Sequence, residues 1–196
     1  MSSDLPFPIT ICGIGDLSDY TRANVSHVLS ILDPDAPVPA DFDAFDEHDR
    51  LELRFHDIID EYPEMQCPRV EHIEQLLRFV RQTHDRPAQT HLLVHCHAGF
   101  SRSPASAILM LAELRPELPA TDVVEGLLRL RARMWPNLRM IELGDELLGR
   151  GGELIQAVHR LYGLMLRYDP ALKALILAVG RGREIDAAIT AGFHRQ

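Results

Sequence analysis

Lysine is nearly missing from this chain: Lys173 is the only one in 196 residues, and every other basic side chain apart from histidine is arginine. Arginine keeps its charge and pairs bidentately with phosphate, but a biased base composition explains the preference without invoking function. Cysteine is scarce too. Cys12, Cys67 and Cys96 form an odd, sparse set, which excludes a disulfide framework. Positive charge is in deficit, with 29 acidic against 20 basic residues and a formal net charge of −9. Such a field repels nucleic acid and anionic lipid, which argues against both as bulk partners. An anionic substrate then needs a local positive site. Long hydrophobic runs are absent: the longest, residues 171–179, is about half the ~18 residues of a membrane span. Met1-Ser2-Ser3-Asp4-Leu5-Pro6 has neither the basic start nor the apolar core of a signal peptide. The expectation is a reducing, cytoplasmic setting without a membrane partner, where a free thiolate survives.

What is present is ordinary globular material, 46% hydrophobic and 25% charged, enough to build a sizeable core. The length suits one domain, residues 1–196, with a core over about 8–148 and a helical C-terminal extension over about 153–191. Apolar runs at 9–14, 25–32 and 91–95 read as buried strands, and 51–55 alternates like a strand. Residues 33–49, rich in Asp and Pro, read as a surface loop. Val70, Ile73, Leu76, Leu77 and Val80 recur at helical spacing, predicting a helix over 69–82. Residues 103–114 predict another, apolar nearly all round and therefore central, with Pro104 in its first turn, where a missing N–H costs nothing. Thr121 is placed to cap a helix running to about 133. Helices are also expected over 141–148, 153–167, 170–179 and 184–191, with residues 149–152 as a hinge. Strands alternating with helices, followed by helices alone, predict an α/β fold: a central, mostly parallel sheet flanked by helices, with a helical C-terminal layer.

The chemistry concentrates in His95-Cys96-His97-Ala98-Gly99-Phe100-Ser101-Arg102-Ser103-Pro104, between a buried strand and a buried helix. A five-residue loop turning into a helix can aim several backbone N–H groups at one centre, and the helix N-terminus adds partial positive charge. Small Ala98 and flexible Gly99 let the backbone curl around an anion. Arg102 can grip two oxygens through its planar fork. The same field stabilises a thiolate at Cys96, an in-line nucleophile toward a bound phosphorus.

This segment resembles the active-site loop of the protein tyrosine phosphatase superfamily: His-Cys, five residues, Arg, then Ser or Thr. His95, Cys96, Arg102 and Ser103 all match, and the Ser-Arg-Ser-Pro ending is similar to the compact dual-specificity-like branch with its bacterial members. The resemblance is strongest over 51–114. It implies a nucleophile at Cys96 and a phosphate clamp at Arg102. Residues His97, Ala98, Gly99, Phe100, Ser101 and Arg102 would bind a phosphate or sulfate anion. It also implies a general-acid aspartate after an upstream strand, which points to Asp57 ahead of Asp60. Ser103 would bond the sulfur and His95 would order the loop and lower the thiol pKa. Pro136-Asn137 is similar to a step whose Asn amide braces the phosphate loop. No metal or cofactor is required.

The expected function is hydrolysis of phosphate monoesters through a cysteinyl-phosphate, with phosphotyrosine in proteins as the first substrate class and phosphoserine or phosphothreonine alongside. A phosphoinositide or small-molecule phosphatase is an alternative, disfavoured because the loop carries His97 and Phe100 but no lysine. A phosphoprotein-binding pseudophosphatase would have lost Cys96 or Arg102. A rhodanese-like sulfurtransferase needs neither Asp57 nor His95. Metal binding by His95, Cys96 and His97 is weakened because neighbouring strand residues face opposite ways. An accessible, low-pKa thiolate is oxidisable, and Cys67 could trap its oxidised form as a disulfide, although an unpaired structural cysteine is the plainer reading. Phe42 and Phe45 could wall the pocket, although a solvated surface loop is the plainer reading of residues 33–49.

Overall fold

In the computed structural model, which describes residues 6–84 and 90–191, the apolar runs of the first half form one sheet. Strands β1 (Ile9–Gly13), β2 (His27–Leu32), β3 (Asp49–Arg54) and β4 (Leu92–Cys96) lie in the order β1-β4-β2-β3, and every pairing is parallel. Central β4 is buried along its whole length, as a strand covered on both faces must be. β3 lies at an edge, and its charged Arg50 and Glu52 discourage further pairing there.

Helix α1 (Val70–His84) links β3 to β4, and α2 (Arg102–Leu114) follows β4 directly. Residues 102–112 of α2 are buried on every side, between the sheet and the later helices. These are α3 (Ala120–Leu130), α4 (Leu138–Leu147), α5 (Glu153–Tyr168), α6 (Leu172–Ala178) and α7 (Gly182–Thr190). The main hydrophobic core runs from Phe7 beside β1 to Ala188 in α7, so the last helices share it. Trp135 stacks on Tyr162 of α5 with ring centroids 4.3 Å apart. Among the described residues no helix is long and apolar enough to cross a membrane. The expected α/β architecture with a helical C-terminal layer is thus present.

Local details differ from the sequence reading where a side chain found an unforeseen partner. Thr121 is not a cap: α3 starts one residue earlier behind Pro119, and the Thr121 hydroxyl turns to Asp122 Oδ1 at 3.3 Å. α4 starts three residues before expectation because Asn137 Oδ1 accepts the Met140 N–H at 3.1 Å, an N-cap. Residues 33–49 are more than a solvated loop. They hold a 3-10 turn (Ala40–Ala44) that buries Phe42 in a second, smaller core. The 149–152 segment is a pinned turn rather than a free hinge. Gly149, Gly151 and Gly152 adopt positive φ there, and the Asp145 carboxylate accepts the Gly152 and Leu154 N–H groups at 2.5 and 2.9 Å.

Candidate active site

Cys96 is the last residue of β4, and residues 97–101 curl from it into α2. The curl turns its carbonyls outward. His97 O accepts the Ile14 N–H (3.0 Å), Ala98 O accepts Arg131 Nη2 (3.3 Å), Phe100 O accepts the Trp135 N–H (2.7 Å) and Ser101 O accepts the Asn137 N–H (3.3 Å). A trans peptide sets its N–H opposite its C=O. The amides of Ala98, Gly99, Ser101 and Arg102 therefore face the inside of the curl, and among the described residues none donates to a protein acceptor. Gly99 makes the bend possible. Its φ is +65°, and a Cβ there would lie 2.4 Å from the backbone carbon of Cys12. Cys96 is buried, and its Sγ lies 3.2 Å from Ser103 Oγ.

Arg102 opens α2 and is 3% exposed. Its Nη1 donates to Asp33 Oδ1 and to Phe55 O, both at 2.6 Å, so the chain beyond β2 and the end of β3 hold the guanidinium from behind. Its Nε is buried with no partner. A buried, charged donor left unsatisfied is costly unless an anion takes it. Inward amides, the start of a buried helix and this donor all belong to the short segment that runs from Cys96 to Arg102, an arrangement suited to a tetrahedral oxyanion.

Asp57 follows β3 and faces the loop from the side. Its Oδ1 accepts Ser101 Oγ at 2.7 Å, Asn137 Nδ2 at 2.9 Å and Arg181 Nη1 at 3.2 Å. Asp60 points elsewhere and pairs with Arg183 Nε at 3.2 Å. Asn137 divides its roles differently from the resemblance: its side-chain amide holds Asp57 and Ile58 O, while its backbone N–H reaches Ser101 O in the loop after Cys96.

The His95 ring is fully buried and packs 5.4 Å from that of Phe42. Burial pushes its pKa down to about 4, so it is neutral at pH 7 and lends no positive charge to the thiol. Phe42 is buried in the smaller core against this ring. In register, His95 pairs with Cys12 and Cys96 with Gly13, so His95 and Cys96 face opposite sides of the sheet. His97 and Ala98 are exposed at the rim. Beside them a groove of about 490 Å³ is lined by Phe100, Leu130, Arg131, Arg133 and Leu175, with the Arg133 guanidinium 5.7 Å from the Phe100 ring centre. Cys67 is buried and free.

Three residues at the site carry no local signal in the sequence. Asp33 lies in an Asp-Pro-Asp run that reads as a surface loop. Arg181 and Glu184 lie 79 and 82 residues beyond Arg102, in the turn before α7 and in α7.

No protein-family model and no curated protein matches the sequence. Solved structures do match the fold. Human DUSP28 aligns with a TM-score of 0.55 at 15% identity, covering 72% of this chain and 92% of that one. The PTP-2 phosphatase of Cydia pomonella aligns at 0.55 and 21% identity, covering 71% and 84%. The Yvh1 phosphatase domain from Chaetomium thermophilum aligns at 0.53 and 20%, covering 74% and 93%. With its parallel four-stranded sheet and the loop that joins β4 to a buried helix, this chain has the fold of the dual-specificity and protein-tyrosine-phosphatase-like phosphatases.

Proposed function

We propose that the protein is a cysteine-dependent phosphatase of phosphate monoesters, acting first on phosphotyrosine in proteins and also on phosphoserine and phosphothreonine. The observation that carries the proposal is the loop at Cys96. Its carbonyls are tied outward and its amides face inward, with the buried thiol of Cys96 at its start and, at its end, Arg102, whose Nε is buried without a protein partner. That arrangement suits a phosphoryl group and is idle without one.

Cys96 thiolate attacks phosphorus, forming the P–S bond as the P–O bond to the leaving alcohol or phenol breaks. Arg102 and the loop amides hold the equatorial oxygens in both ground and transition states, most tightly where charge spreads. Asp57 delivers its proton to the departing oxygen from Oδ2, since Oδ1 is occupied by three donors. Water then attacks the cysteinyl-phosphate, Asp57 takes its proton, and the Ser103 hydroxyl donates to the sulfur as it leaves. Side chains and water suffice for both steps. The groove along Phe100 and Leu175 gives the substrate chain an apolar wall with two arginines on its rim, which suits a peptide bearing acidic residues.

The test is hydrolysis of para-nitrophenyl phosphate and of phenyl phosphate between pH 5 and 8, without added metal. Wild type turns over both, and Cys96→Ser turns over neither. Asp57→Ala loses about 10²-fold or more on phenyl phosphate, whose leaving group needs the proton, and less on the activated ester. Asp57→Ala with unchanged phenyl phosphate turnover moves the acid to Asp60. Folded wild type that is inert on both esters and on phosphopeptides overturns the phosphatase reading.

A further inference from the structure

Beside Asp57 lies a buried ion pair, Arg181 with Glu184, of which the scheme above uses only the donor to Asp57 Oδ1. Arg181 sits between α6 and α7, with its side chain 4% exposed. Its Nε and Nη2 donate to Glu184 Oε2 and Oε1 at 2.9 and 2.7 Å. Glu184, fully buried, also accepts Trp135 Nε1 at 2.6 Å and the Leu138 N–H at 3.0 Å. Glu184 is thus anchored to the segment whose backbone N–H groups tie down Phe100 and Ser101 of the loop. The remaining nitrogen, Arg181 Nη1, leaves Glu184 and reaches into the site. It donates to Ser101 Oγ at 2.8 Å and to Asp57 Oδ1 at 3.2 Å.

An ion pair made only for stability needs no third arm. Replacing a buried pair by apolar groups is often neutral or stabilising, so fold stability alone does not account for this one. Its geometry does something specific to Asp57. Ser101, Asn137 and Arg181 come from the phosphate loop, from the start of α4 and from the turn before α7, and all three donate to Oδ1. Among the described residues Oδ2 accepts no hydrogen bond. Three donors on one oxygen fix the rotation of the carboxyl group and leave the other oxygen free to carry a proton to and from substrate. Burial opposes the charge on Arg181, yet Asp57 and Glu184 together hold its pKa above the ordinary arginine value, so the arm is permanently cationic.

We propose that Arg181 is a positioning residue for proton transfer: through Asp57 and Ser101 it aligns the carboxyl with the phosphate loop, so the C-terminal helices complete the active site. This rests on the phosphatase reading above. Arg181 does not touch the phosphoryl group, so its loss is expressed only where the proton matters.

The experiment compares kcat/KM, which reports the steps up to formation of the cysteinyl-phosphate, for phenyl and para-nitrophenyl phosphate. Arg181→Met is expected to lose about 10- to 100-fold on phenyl phosphate, as misplacement of a catalytic group does, and less than about threefold on para-nitrophenyl phosphate. Arg181→Lys, which keeps the charge, retains most phenyl phosphate turnover. In an Asp57→Ala background Arg181→Met removes nothing further. Because Arg181→Met strands the Glu184 charge, the neutral pair Arg181→Met/Glu184→Gln is measured beside it, with folding followed by circular dichroism. Equal losses on both esters, a full second loss in the Asp57→Ala background, or unchanged turnover overturns the inference. Each of these outcomes needs an active wild type, so none is confused with failure of the phosphatase reading, in which wild type itself is inert.

Discussion

At the scale of single residues, His95 ties stability to pH. Its pKa is about 4 in the folded chain against 6.5 when unperturbed, because burial disfavours the imidazolium. The unfolded chain therefore binds that proton more readily. The stability belonging to neutral His95 is complete above about pH 6.5 and is lost as pH falls toward 4, an effect of about 3 kcal/mol. Thermal melts at pH 7.5, 6 and 5 are expected to show a falling Tm in wild type and a flatter course in His95→Asn. A variant that falls as steeply as wild type would assign the effect to His27, His72 and His159, whose pKa values burial also lowers. Gly99 is the second residue with a sharp consequence. Gly99→Ala forces a Cβ into the Cys12 backbone at a positive φ, costing upward of about 1 kcal/mol. Activity and Tm are expected to fall together, because the loop cannot curl without moving β1. Asp33→Ala frees one side of Arg102 and is expected to lower kcat/KM about tenfold, with little change in Tm since Asp33 is half exposed.

Element boundaries were readable where a local rule operated without competition. Periodicity located α1, and Pro104 fell in the first turn of α2 as its missing N–H predicts. The boundaries that moved were set by side chains reaching out of their own segment. Asn137 caps α4 and simultaneously holds Asp57, while Asp145 at the far end of α4 caps α5 across the glycine turn. Asp145 is nearly fully buried, so Asp145→Ala leaves two N–H groups unpaired and is expected to cost about 1–2 kcal/mol. Urea unfolding would show this as a lower midpoint with an unchanged slope. A variant as stable as wild type would mean that water satisfies the turn.

For the whole molecule, the C-terminal layer is wired into the site. Trp135, the only tryptophan, is buried between Tyr162 of α5 and the Glu184 carboxylate of α7, and its backbone N–H donates to Phe100 O in the loop after Cys96. Its fluorescence therefore reports docking of the last helix. A chain ending at residue 180 loses Arg181 and Glu184 together. It is expected to emit at longer wavelength, melt lower and hydrolyse phenyl phosphate at least tenfold more slowly. A truncated chain with wild-type emission and turnover would show that the last helix is dispensable. The same interior argues that the helices after α4 are packed rather than tethered, since Leu172, Ile176 and Ile185 are buried in the main core.

The sequence by itself determined the strands, most helices, the parallel architecture and the loop from Cys96 to Arg102. Each follows from hydrophobic period or residue type within a few positions, where backbone geometry leaves little choice. The preference for Asp57 over Asp60 came from the resemblance, which places an aspartate just after an upstream strand. Only the tertiary structure decided which charges meet. Asp33 lies 69 residues from Arg102 and Arg181 lies 124 from Asp57, and each pair is joined by the order in which strands and helices pack. A charged side chain in a loop reads as solvated, because nothing local distinguishes it from one that burial will force onto a distant partner. His95 shows the converse: its position was legible from the motif, but its neutrality was set by the Phe42 core that closed around it.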